Sequence, residues 1–410
     1  MNLDLIKIRG LFLIFILFVI RPVSGEGQTF VKFSRDSTKY LTELQQLGEN
    51  FSKEDQKELG ILLERFALKW NSEKFAPSQK QMIYKVSDQM LKRHLRALPD
   101  FYDFIYALDV FIDLKRPDHI FNELTSVLLK LSNAKNIRLF TSFLEGAVPL
   151  FSENLIYKSA STRWKVMTPE YHISMDSVPV ITFSTSDIMG CSGDDSLVIY
   201  NTKGRYYPLS TRWVGEGGRV DWRRTGLDPS EAYADLRRYQ IFTRFSKYDA
   251  DSVELHFKRY FPSPLMGRFS DRAQAEITEN RMIFPAFDSY EKENVIKDIY
   301  KNIDYFGGFA LEGNRMIGKG SSKTKARLSF YKDGEELIRV SSSRFEFHSG
   351  KINSISAAVV IRYKGDSIFH PGILMKYIDE KKEVAFSKDE EMRAFSPWYD
   401  SFHKIEFYSE

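Results

Sequence analysis

The chain has 410 residues, 43% of them hydrophobic and 14% aromatic, with a formal net charge of +4 and one cysteine, Cys191. An apolar share of this size is ordinary for a globular chain that buries real cores. The near-neutral balance gives no basic footprint for nucleic acid, and a lone cysteine excludes an internal disulfide.

Residues 1–25 read as a signal peptide. Lys7 and Arg9 form a short basic start, Leu11 to Ile20 are ten unbroken apolar residues, and Val23-Ser24-Gly25 supplies small residues for cleavage. Ten apolar residues cross only about half of a ~30 Å hydrocarbon core, which disfavours a permanent transmembrane helix. No cysteine follows the run, which argues against a lipoprotein anchor. The expectation is an exported protein, periplasmic or outer-membrane-associated or at the cell surface, with no transmembrane span once the leader is gone.

Residues 26–160 read as a helical module. Ser52-Lys53-Glu54-Asp55 resembles a capping-box start, followed by Leu59, Leu62, Leu63, Phe66, Leu68 and Trp70 at mostly helical intervals. Met82, Val86, Met90 and Leu91 predict a second helix. Pro99 and Pro117 stand where new helices begin, and further helices are expected near 99–114, 118–132 and 135–150. Five or six helices on short loops suggest antiparallel pairs.

Residues 161–410 read as an elongated all-β body, so the fold class is α+β by segregation. Val178 to Phe183 and Leu197 to Tyr200 are short apolar runs, and Val253 to Phe257 alternates strictly. Asp333-Gly334 predicts a tight hairpin between Leu328–Phe330 and Leu337–Val340. Ile373, Met375 and Tyr377 predict a second, with Val384 and Phe386 returning. Asp228-Pro229-Ser230-Glu231 reads as a helix start leading into Tyr233–Leu236. Asp-Ser before an aliphatic residue recurs at Asp176, Asp195, Asp251 and Asp366, as if opening strands of stacked coils. A β-solenoid and an open β-jellyroll both satisfy this pattern. The body ends on a strand-like Lys404–Tyr408 with no terminal cap, so it reads as incomplete at its C-terminus and open to self-association through that edge.

The sequence offers little chemistry, and no catalytic residue, cofactor or metal site is assigned. Gly313 to Lys319 resembles a P-loop, but Gly320 stands where a Ser or Thr should hold the metal ion. The seven histidines show no His-x-x-x-His or Cys/His ligand spacing, although His348, His370 and His403 are near one another in sequence. Ser192 lacks the Gly-x-Ser-x-Gly elbow, and Asp194 and Asp195 are adjacent, so on a strand they face opposite ways. Cys191 reads as a small buried side chain. Trp213 to Trp222 is the densest unusual stretch. Trp213, Trp222, Arg223 and Arg224 are the candidate ligand or partner contacts there, with core packing beside a tight turn as the competing account.

The motifs from Asp195 to Asp271, with Gly365-Asp366-Ser367-Ile368-Phe369-His370-Pro371-Gly372 and Ser396-Pro397-Trp398-Tyr399-Asp400-Ser401-Phe402-His403-Lys404, resemble very large exported strand-rich proteins of Bacteroidetes-type Gram-negative bacteria. The resemblance covers roughly residues 160–410 and implies a long β body with no catalytic residues to carry over. The functional expectation is a non-enzymatic cell-envelope protein acting as scaffold or binding surface for an envelope protein, glycan or lipid. Two alternatives stand beside it. One is a carbohydrate-active enzyme with Trp213, Trp222 and Trp398 as stacking platforms. The other is a lipid carrier of the open-jellyroll type, suggested by the apolar run Ala357 to Ile361.

Overall fold

A computed structural model describes residues 31–49, 52–168, 170–275, 282–321, 323–388 and 396–408. The expected signal peptide lies outside the described residues.

Six helices come first: α1 (Ser37–Gln46), α2 (Lys53–Trp70), α3 (Pro77–Lys92), α4 (Tyr102–Asp113), α5 (Asp118–Ser132) and α6 (Arg138–Glu153). Their starts follow from local chemistry. The Asp36 carboxylate accepts from the backbone N–H groups of Thr38 and Lys39, and the Ser52 hydroxyl accepts from that of Asp55. On α2 the stripe Leu59, Leu62, Leu63, Phe66 and Trp70 is buried, while Leu68, two residues from Phe66, faces solvent.

The remaining chain is strand. The early strands are β1 (Leu155–Lys158), β2 (Arg163–Val166), β3 (His172–Met175), β4 (Pro179–Ser192), β5 (Asp195–Tyr207), β6 (Arg212–Glu216), β7 (Arg219–Asp221) and β8 (Ala232–Asp235). Next come β9 (Arg238–Phe242), β10 (Lys247–Phe257), β11 (Leu265–Arg272), β12 (Ala286–Ser289), β13 (Asn294–Tyr300), β14 (Ile303–Glu312), β15 (Arg315–Lys319) and β16 (Ala326–Lys332). The last are β17 (Glu335–Ser342), β18 (Arg344–His348), β19 (Lys351–Tyr363), β20 (Asp366–Ile378), β21 (Glu383–Ser387), β22 (Trp398–Asp400) and β23 (Ile405–Phe407). All belong to one antiparallel hydrogen-bonded network.

Two pairing paths run through this network. The first is β3–β4–β5–β6–β9–β10–β11–β12–β14–β15–β18–β19–β20–β21. The second starts β1–β2–β4–β5–β7–β8–β10–β11, breaks, and resumes as β13–β14–β16–β17–β19–β20–β22–β23. Long strands serve both paths and change partners midway. Register shifts mark the change between Phe183 and Ile188 in β4, Ala250 and Val253 in β10, and Ser354 and Ala357 in β19. Aromatic contacts join the paths: Phe257 meets Phe309 at 6.2 Å, Tyr305 meets Phe347 at 5.3 Å, and Phe330 meets Tyr377 at 5.6 Å. The paths therefore face one another across a shared aromatic core. That core is continuous with the helices, because α5 packs on β3 and α6 on β1, the first strand of each path.

Several sequence expectations meet this structure directly. Asp333 and Gly334 close the β16–β17 hairpin with φ of 53° and 85°, and β20 pairs with β21 through Tyr377–Val384 and Met375–Phe386. Gly313 to Lys319 is the turn and return strand of the β14–β15 hairpin, not a phosphate loop. The helix expected at Tyr233–Leu236 is instead β8. Asp228 does cap one turn, its carboxylate accepting from the Ser230 N–H, but Ala232 to Asp235 then alternates buried and half-buried between β7 and β10. Strand begins at Leu155, before the expected boundary at 160, because Asn154 ends α6 in the left-handed conformation. Of the Asp-Ser pairs, Asp195 and Asp366 open β5 and β20, Asp176 lies in the turn before β4, and Asp251 sits in the β10 bulge with Ser252 at φ 56°. In β19, Ala357 and Val359 are buried while Ala358, Val360 and Ile361 are half-buried, as befits a strand between β17 and β20.

Candidate functional site

The fold divides the residues singled out around Trp213–Trp222: Trp222, Arg223 and Arg224 lie at the turn after β7, by the start of β5, while Trp213 pairs with Tyr206 near the other end of β5. Trp213 on β6 is fully buried, its indole against Phe183 at 5.4 Å and over Gly204 of β5. Trp222 is also fully buried; its Nε1–H donates to the Pro285 carbonyl at 2.9 Å and its ring meets Phe269 edge-on. Trp398 packs beside His370, Phe386 and Phe407. None of the three offers an open face for a sugar ring, so the stacking-platform expectation is corrected.

Arg224 is a staple. One amino group lies 3.4 Å from both Asp195 carboxylate oxygens and donates to the Ser196 carbonyl at 3.0 Å. The other donates to Asp271 at 2.5 Å and to the Arg272 carbonyl at 3.2 Å. It thereby ties the turn after β7 to the start of β5 and the end of β11. Arg223 alone is exposed, 3.5 Å from Asp221 and over the Tyr200 ring at 5.9 Å.

These residues line a cavity of about 330 Å³, with Asp194, Tyr200 and Arg223 among its walls and Arg224 and Asp271 within. Burial pushes the Asp271 carboxyl up to about 6, outweighing the attraction of Arg224. A raised carboxyl near a second carboxylate superficially suits acid–base chemistry. Its geometry does not. Asp271 is buried, and the oxygen that meets Arg224 also accepts from the Arg272 backbone N–H, so it does not face a substrate. Asp195 is likewise engaged, accepting from the Ser196 and Gln274 N–H groups. The arrangement holds a corner together.

A second cavity, of about 350 Å³, was not signalled by any motif. It opens beside the break in the second pairing path, where five separate connections converge. Tyr260 and Tyr300 stand in its walls with Arg259, Arg315, Glu231 and His348. Only the pairing order brings these positions together, so sequence spacing carries no trace of them.

Cys191 is half-buried in β4, and burial pushes its thiol up, away from the reactive thiolate. His348, His370 and His403 do not form a cluster. His370 bonds the Ser396 carbonyl and the Gly372 N–H, His403 pairs with Asp400, and His348 lies nearest Glu346. A group that the sequence spacing does not show, His119, Glu123 and His172, gathers where α5 meets β3.

Compared with protein-family models, curated proteins and solved structures, the chain matches none.

Proposed function

We propose that the chain is a non-enzymatic, exported cell-envelope protein whose β body, an open jellyroll, serves as a binding scaffold. The observation that carries the reading is the difference between the two ends of the network. At the start, α5 and α6 cover β3 and β1. At the other end, among the described residues, β21 pairs only with β20 and β23 only with β22. An open strand edge with unpaired N–H and C=O groups is a template for another chain. Phe402, Ile405, Phe407 and Tyr408 are all exposed along it. The leader-like residues 1–25 and the resemblance to large exported strand-rich proteins support the compartment. No helix among the described residues is long and apolar enough to cross a membrane.

The partner this edge fits is a second strand, and the simplest donor is another copy of the chain. At micromolar concentration, sedimentation is expected to show self-association, with residues 400–408 exchanging amide protons freely in the monomer. Ile405→Lys with Tyr408→Lys is expected to shift the protein to monomer without changing its melting temperature. A wild-type monomer whose C-terminal strand is already protected from exchange defeats the proposal.

Glycan binding is the second reading, favoured by the cavity at the break in the second path. Tyrosine rings beside arginines suit a polar ring that stacks and accepts hydrogen bonds. Binding on a glycan panel, lost in Tyr260→Ala and Tyr300→Ala, is the expected result; equal binding by the variants removes the cavity from consideration.

A further inference from the structure

The geometry points to a divalent transition-metal site at the seam between the helical module and the β body, made by His119, Glu123 and His172. His119 and Glu123 are four residues apart on α5, so they share one face of the helix. The same helix packs on β3, whose first residue is His172. One ligand atom from each of the three side chains lies within 4.8 Å of the others.

The cluster is partly organised already. One Glu123 carboxylate oxygen accepts from the Ile173 backbone N–H at 2.8 Å, which fixes the side chain across the seam. The other lies 3.1 Å from His172 Nδ1. The two imidazole rings stand side by side, centroids 5.8 Å apart and 29° from parallel. A tetrahedral ion binds its ligands at roughly 2.0–2.2 Å, which places them about 3.3 Å from one another. His119 and His172 are exposed, so rotation of their side chains closes the remaining gap without moving the backbone.

Ligand chemistry selects the ion. Two imidazole nitrogens and one carboxylate oxygen suit zinc, cobalt, nickel or copper, whereas calcium and magnesium take oxygen ligands. Three protein ligands leave a position for water. An ion held here cross-links α5 to β3, and because the three groups meet only in the folded chain, binding stabilises that state.

The test uses the full chain stripped of metal with a chelator and then titrated with zinc chloride, with magnesium chloride alongside. One zinc per chain, a rise in melting temperature with zinc and none with magnesium are expected. In the variant carrying both His119→Ala and His172→Ala, zinc affinity should fall by more than about tenfold and the melting shift should vanish. Both rings are exposed, so the metal-free variant should melt where the parent does. Should it fail to fold, His119→Ala alone provides the same comparison. Cobalt adds a spectroscopic readout, since visible bands of a bound nitrogen–oxygen site appear in the parent and not in the variant. Equal zinc affinity and equal melting shifts in parent and variant place the binding elsewhere and overturn the inference, as does a parent that binds no zinc.

Discussion

Trp213→Ala is expected to cost about 3–5 kcal/mol of folding stability, the usual loss for a large buried ring. The indole has no exposed surface and fills the space above Gly204, where an added Cβ would stand 2.0 Å from the ring. In the β5–β6 register Tyr206 faces Trp213 and Gly204 faces Gly215, so the ring lies diagonally across a strand that has no side chain there. The arrangement recurs in the next pair, where Tyr239 of β9 faces Gly215 of β6 and covers it. Each aromatic ring shields a glycine whose own contribution to the sheet is weak. Gly204→Ala should therefore be destabilising too, by about 1–3 kcal/mol, because its methyl group meets the indole. The double variant should lose less than the two single losses together, since the methyl enters space that the indole has left. Urea denaturation followed by circular dichroism measures all three. Strictly additive losses would show that the ring does not rest on this glycine.

The helices were legible in the sequence because caps and a 3.6-residue apolar period agree, as in Ser52 followed by Leu59, Leu62, Leu63, Phe66 and Trp70. The Asp333-Gly334 hairpin was legible because positive φ at both turn positions demands such residues. The long strands were legible only in fragments. In β10 the alternation restarts after the bulge at Ser252, so Val253–Phe257 was visible while Lys247–Ala250 was not. Site residues were hardest to read, since their meaning depends on distant partners. Arg224 meets Asp195 and Asp271, 29 and 47 positions away, and His172 meets Glu123 across 49. A search for His-x-x-x-His passes over His119-x-x-x-Glu123, whose third member arrives only when β3 docks on α5. Trp213 and Trp222 looked like ligand contacts because a glycine-rich loop separates them. In the fold both rings are buried, and the glycine that makes room for Trp213 is Gly204 on β5, outside that loop.

Arg224→Leu should be the most costly change to a charged side chain at this corner, and its cost should depend on pH. Removing one partner of a buried ion pair typically costs about 3–5 kcal/mol, because the other charge stays buried without compensation. Here that charge is Asp271, whose carboxyl burial already raises to about 6 from 3.8. Between those values the folded chain binds more protons than the unfolded one, so this group's contribution falls as pH rises through the window. It is fully present only below about 4. Asp271→Asn should flatten that decline, which melting temperatures across the window would read. In Arg224→Leu the penalty should be greatest at neutral pH, where Asp271 must ionise beside leucine. It should shrink below about pH 4, where the Asp271 carboxyl is neutral and what is missed is the contact with Asp195 and the bonds to the Ser196 and Arg272 carbonyls. A penalty of the same size at both ends of the range would mean that Arg224 holds the corner through Asp195 and those carbonyls, and that its pairing with Asp271 contributes nothing.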